Sequence, residues 1–180
     1  MLSFDFLDEV ALIPNRIPAH KEVSKIEVEH RYTMLQRISN ELFFNNRVFV
    51  SDVELNRFDT SWMIDTVNYY KHHVTSELYL VIGTDSFFQL HNWKNSEALL
   101  ESVKLIVFGR EVVSIETLDE YLKDKFGEVD YILSHYEGLQ ILDWVSSTII
   151  RQKLIMNENI VEYVPEIIFN YIQKYNLYKN

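Results

Sequence analysis

Two short apolar runs that end in glycine, LYLVIG (Leu78 to Gly83) and KLIVFG (Lys104 to Gly109), constrain the fold more than any other feature. Each has strand length and is nearly continuous in aliphatic and aromatic side chains. Such runs fit strands of a parallel sheet covered on both faces better than the alternating strands of a one-sided antiparallel sheet. The flanking sequence supplies the crossovers that a parallel sheet needs. VEHRYTMLQRISNEL (Val28 to Leu42) sets Tyr32, Leu35, Ile38 and Leu42 at helical spacing. RVFVSDVEL alternates Val48, Val50 and Asp52 against Phe49, Ser51 and Val53, as a strand does. LDEVALIP (Leu7 to Pro14) reads as a short buried strand stopped by proline. Thr60 or Ser61 can cap a helix over SWMIDTVNYYKHH, whose Asp65 lies in the first turn, where the dipole favours negative charge. A helix from Ile115 to Phe126 and a strand VDYIL follow. Ser146 or Ser147 then opens a helix through Leu154, and Pro165 sits in the first turn of the last helix.

Strand and helix alternate throughout. That order predicts an α/β fold: a Rossmann-like, doubly wound, mostly parallel sheet. No repeat or linker divides the chain, and proline occurs only at positions 14, 18 and 165. With 180 residues, 47% of them hydrophobic, the expectation is a single domain over residues 1–180. Ligands of such sheets bind beyond the carboxyl ends of the strands, so both glycines deliver the residues after them to the binding edge.

Charge narrows the ligand class. A formal net charge of −10 argues against nonspecific nucleic-acid binding, which rests on Lys and Arg neutralising phosphates. It leaves room for a nucleotide, because a few basic groups at one mouth make a local field. No apolar run reaches the length of a membrane span and no signal peptide is read at the start, so no membrane partner is expected. Cysteine is absent, which excludes disulfides and thiolate chemistry and fits a cytoplasmic location.

The chemistry-bearing residues cluster in a few stretches. In SSTIIR (Ser146 to Arg151), hydroxyls at a helix N-terminus meet unpaired backbone N–H groups, a ready anion site. Thr148 and Arg151, three apart, could reach one phosphate together; the plain alternative is an N-cap followed by a solvated arginine. In IGTDSFFQLHNWKN (Ile82 to Asn95), Gly83 allows close backbone approach, Asp85 can accept from ribose hydroxyls, and Trp93 can stack on a planar ring. The competing reading makes Asp85 a helix cap and Trp93 a core residue. IPNRIPAHK places His20 and Lys21 after two prolines, which can hold the lysine near a phosphate; the plain alternative is a lysine that is simply exposed. Arg110, directly after VFG, can face the same edge or merely cover the surface. Glu54 and Arg57 read as an internal ion pair that fixes a loop near Thr66. The chain holds no GxxxxGK[ST], GxGxxG or GxSxG. His72 and His73 are adjacent on a helix and face different ways, so no metal site is assigned.

Taken in order, the segments LDEVALIPNRIPAHK, EHRYTMLQRIS, VSDVELNRFDTSWMIDT, LYLVIGTDSFFQLHNWKN, LIVFGRE, SSTIIRQKL and YVPEIIFNYI resemble the bacterial nicotinate-nucleotide adenylyltransferases of the nucleotidyltransferase α/β superfamily. The resemblance spans Leu7 to about Tyr178. It implies a nucleotidyltransferase of NAD biosynthesis that joins nicotinate mononucleotide to the AMP part of ATP and releases pyrophosphate, with Mg2+ carried by the ATP phosphates. By motif, Gly83 and Asp85 line the ATP nucleoside site, and Ser147, Thr148 and Arg151 hold ATP phosphates. Trp93 stacks near the pyridine ring, Lys21 and Arg110 face the substrate channel, and His20 and Arg31 take supporting roles. Met63, in SWM where the family usually has Ser-Tyr-Thr, replaces a hydroxyl beside the pyridine pocket.

One family segment has no counterpart. The family opens with a strand and a loop of the type GGxFDPxHxGH, then a helix; here only MLSFDF precedes Leu7. The family histidines map onto no position, so catalytic residues stay unassigned. The expectation is an N-terminally incomplete chain lacking that strand, loop and helix. Three other readings compete: pantetheine-phosphate adenylyltransferase, a noncatalytic or vestigial nucleotide-binding protein, and an α/β domain with no nucleotide site. The sequence leaves the oligomeric state open.

Overall fold

Proline ends the first strand where the sequence places it, with Pro14 buried just beyond β1. The structure is a computed structural model and describes residues 6–19, 26–42, 47–109, 113–135 and 145–178. In chain order the elements are β1 (Val10–Leu12), α1 (Val28–Leu42), β2 (Val48–Val50), α2 (Met63–His73), β3 (Tyr79–Gly83) and α3 (Thr84–Phe87). A 3-10 turn at Leu90–Asn92 follows, then α4 (Ser96–Leu100), β4 (Lys104–Gly109), α5 (Ile115–Lys125), β5 (Tyr131–His135), α6 (Ser147–Ile155) and α7 (Glu166–Tyr175). Every strand pairing among the described residues is parallel, as an alternating order demands. The strands divide into a two-stranded and a three-stranded sheet, each within its own compact unit.

The first unit gathers the described residues up to Ser61 and from Val145 onward. β1 and β2 pair in the register Val10–Val48, Ala11–Phe49 and Leu12–Val50. α1 is their crossover and covers the span its periodicity predicts. Buried Ser39 donates to the Val48 carbonyl at 2.9 Å and pins the helix to the strand. Met34 of α1 then meets Leu154, Ile160, Ile168, Tyr171, Ile172 and Leu177 in one core. β2 is shorter than RVFVSDVEL suggests: the Asn56 N–H closes a turn on the Asp52 carbonyl at 3.1 Å, and Glu54 is buried at 3% exposure beside Arg57.

The second unit runs from Trp62 to His135 in the described residues. β4 lies between β3 and β5. Its Leu105, Ile106 and Val107 are fully buried, so KLIVFG is covered on both faces as expected. LYLVIG is an edge strand instead: Leu80 and Ile82 are buried while Val81 is 48% exposed. α5 closes the crossover from β4 to β5 by burying Leu118 and Leu122 in the core with Phe87, Leu90 and Leu99. The cap expected at Thr60 or Ser61 is not formed. Trp62 is the N-cap of α2 with no side-chain bond. The Ser61 hydroxyl accepts from Arg16 N at 3.0 Å, while its own N–H donates to the Ile17 carbonyl at 2.8 Å. Ser61 is thus committed to a bridge with the 16–18 segment. Among the described residues no helix is long and apolar enough to cross a membrane.

Candidate functional site

β3 hands Gly83 to the N-cap position of α3, and Thr84 and Asp85 form the first turn of that short helix. Glycine here is favoured by space, not by its torsions, which are φ −79° and ψ 160°. A Cβ built there would lie 2.6 Å from Asp85 Oδ1, so the missing side chain makes room for the carboxylate. Asp85 is exposed at the carboxyl end of β3 and sits inside the first turn; it does not act as the cap. A carboxylate so placed can accept two hydroxyl hydrogens from a sugar.

Trp93 follows the 3-10 turn and is half-buried, packed against the core of its unit. The core-filling role is therefore real for part of its ring. Met63, the first residue of α2, is half-buried against the same core, as is Trp62 before it. Lys94 joins these elements: its Nζ lies 3.2 Å from Asp65 Oδ2 and 5.5 Å from the centre of the Trp62 ring.

The first unit carries the second group. Ser146 caps α6, its hydroxyl accepting from Ile149 N at 3.2 Å. That leaves Ser147 and Thr148 exposed in the first turn. Arg151 Nη2 donates to Ser147 Oγ at 2.9 Å, one turn back, so the guanidinium is folded toward the N-terminal end of the helix. Donors gathered at the positive end of a helix suit an anion. Arg31 of α1 donates to Asn15 Oδ1 at 3.2 Å and to the Asn15 carbonyl at 2.6 Å. Burial pushes its pKa down, against the opposing pull of Tyr178 and Glu29. Burial likewise pushes the Tyr178 phenol up, and Arg151 and Arg31 oppose that shift. Tyr178, held at a positive φ of 64°, thus shares its field with both guanidiniums.

The Glu54–Arg57 pair forms as expected, at 3.4 Å. His72 and His73 each bond a backbone carbonyl one turn back, Asn68 at 2.6 Å and Tyr69 at 2.7 Å. Among the described residues no group of three or more His, Asp or Glu could hold a metal ion. His20, Lys21 and Arg110 lie outside the described residues. Sequence reasoning missed the Lys94–Asp65 contact, although Lys94 follows Trp93 directly. It also missed Asn15 and Tyr178, for which no local pattern gives a signal.

The chain matches the cytidylyltransferase-like family over residues 3–153. It is 32% identical over 178 residues to the probable nicotinate-nucleotide adenylyltransferase of Clostridium tetani (strain Massachusetts / E88), covering 96% of this chain and 85% of that protein. Its fold is similar to two solved structures of the Plasmodium falciparum nicotinic acid mononucleotide adenylyltransferase. The structure complexed with NaAD gives a TM-score of 0.80 and the one complexed with APC gives 0.78. Each is 24% identical and is matched over 98% of this chain and 85% of the solved one. On this family match and on identity sustained over nearly its whole length, the chain belongs to the cytidylyltransferase-like family and, within it, to the nicotinate-nucleotide adenylyltransferases.

Proposed function

We propose that this protein transfers the adenylyl group of ATP to nicotinate mononucleotide, forming nicotinate adenine dinucleotide and pyrophosphate in NAD biosynthesis. The observation that carries this reading is the 32% identity to a nicotinate-nucleotide adenylyltransferase across 96% of the chain. In the reaction a phosphate oxygen of the mononucleotide attacks the α-phosphorus of ATP. The bond from that phosphorus to the oxygen bridging to the β-phosphate breaks, and pyrophosphate leaves with the electron pair. No protein nucleophile takes part, so the chain works by alignment and by stabilising charge on the phosphates.

Gly83 and Asp85 are assigned to the ATP nucleoside, with Asp85 accepting from ribose hydroxyls. Ser147, Thr148 and Arg151 are assigned to the ATP phosphates; Arg151, already turned toward Ser147, supports this with a fork of donors at a helix N-terminus. Mg2+ enters as part of the substrate, on the ATP phosphates, and supplies positive charge where negative charge develops. Trp93 and Met63 are assigned to the pyridine end of the mononucleotide, and Lys21 and Arg110 to the channel it enters by. Met63 offers no side-chain hydrogen bond to the pyridine substituent, which leaves backbone N–H groups to read it. Initial rates of pyrophosphate release test the assignment. Release should require both ATP and nicotinate mononucleotide and should be absent when pantetheine phosphate is the acceptor. A folded protein that releases pyrophosphate with neither acceptor sinks the reading.

A further inference from the structure

The second unit carries an ion pair that joins two elements at their functional ends. Asp65 sits in the first turn of α2, where the helix dipole favours a carboxylate. Lys94 leaves the 3-10 turn directly after Trp93, and Asn95, at φ 52°, then bends the chain into α4. Their contact, 3.2 Å from Nζ to Oδ2, spans 29 positions of sequence. The same ammonium stands 5.5 Å from the centre of the Trp62 ring, within reach of a cation–π attraction. One side chain therefore meets a carboxylate and an aromatic face at once.

What this clasp holds is specific. Trp62 begins α2 with no side-chain cap bond of its own. Met63 is the next residue, and Trp93 is the neighbour of Lys94. All three are half-buried against one core, which sets their inner sides and leaves their outer sides to the surface contacts.

We propose that Lys94 and Asp65 are positioning residues for the mononucleotide: their contact fixes the spacing between Trp93 and the Trp62–Met63 start of α2, and with it the slot that receives the pyridine ring. This inference rests on the assignment of Met63 and Trp93 to the mononucleotide. Both partners are 42% exposed, and exposed pairs contribute little to global stability. The clasp therefore registers in how one substrate binds, since small misplacements of aligned groups are felt in rate and affinity far more than in folding.

Steady-state kinetics on the full chain tests it. Lys94→Met and Asp65→Asn should each raise KM for nicotinate mononucleotide about three- to ten-fold and leave KM for ATP unchanged. Lys94→Arg, which keeps the charge and the aromatic contact, should restore the wild-type value. The double variant should be no worse than either single one, as for two ends of one interaction. The melting temperature of each variant should stay within about 4 °C of wild type. Three results overturn the proposal: no change in the mononucleotide KM, an equal rise for both substrates, or an effect of Lys94→Met that Asp65→Asn lacks. The last would make Lys94 a direct ligand. A wild-type protein that never turns over the two substrates fails earlier, at the functional reading itself.

Discussion

Gly83, assigned to the ATP nucleoside, sits at its strand end without backbone strain. Its torsions suit any amino acid, and the reason for glycine is the 2.6 Å between a built Cβ and Asp85 Oδ1. Gly83→Ala would force that carboxylate to rotate away. The substitution should leave stability within about 1 kcal/mol of wild type, because alanine also restricts the unfolded chain. It should raise KM for ATP about ten-fold, since the displaced group is the one assigned to the ribose. Paired thermal melts and ATP saturation curves check this; an unchanged KM for ATP removes Asp85 from the nucleoside contact. Tyr131 carries a second expectation, this one about pH. Burial, then its 2.8 Å hydrogen bond to Asp119, push its phenol up to about 12, above the ordinary tyrosine value of about 10. A raised folded-state pKa means that the protonated form is the one stabilised. Its contribution is complete below about pH 10 and is lost as pH climbs through about 12. Melts recorded from pH 9 to about 12 should fall more steeply for wild type than for Tyr131→Phe.

Elements divide labour in a way that single residues do not reveal. The N-terminal end of α6 has two serines with different bonds, the N-cap Ser146 and Ser147 in the first turn. Ser146 accepts from Ile149 N and secures the helix start, while Ser147 accepts from Arg151. Ser146→Ala should cost about 1 kcal/mol, seen as a fall in Tm of about 2–4 °C. Ser147→Ala should leave Tm within about 1 °C of wild type and raise KM for ATP several-fold, because Arg151 loses its partner at the anion end. Equal losses of stability from both would show that Ser147 is structural. The same elements show which features the sequence made legible. α1 occupies Val28–Leu42, as its spacing predicts, because a 15-residue amphipathic helix repeats its signal over four turns. β4 was equally plain, since burial on both faces leaves an unbroken apolar run. The α2 cap was not: Ser61 is a good cap by type, but a distant segment around Arg16 and Ile17 takes both its hydroxyl and its N–H. Lys94 and Asp65 meet across 29 positions, beyond the reach of any helical or strand period.

The whole molecule distributes the assigned residues over two units. Met63, Gly83, Asp85 and Trp93 belong to the second, and Ser147, Thr148 and Arg151 to the first. Each unit has its own parallel sheet and its own core. The most direct measurement is product identity. The full chain, incubated with MgATP and nicotinate mononucleotide, is analysed by mass spectrometry while pyrophosphate is counted. The expected result is nicotinate adenine dinucleotide and pyrophosphate appearing in equal amounts; a folded protein that yields only AMP, or no product, contradicts the assignment.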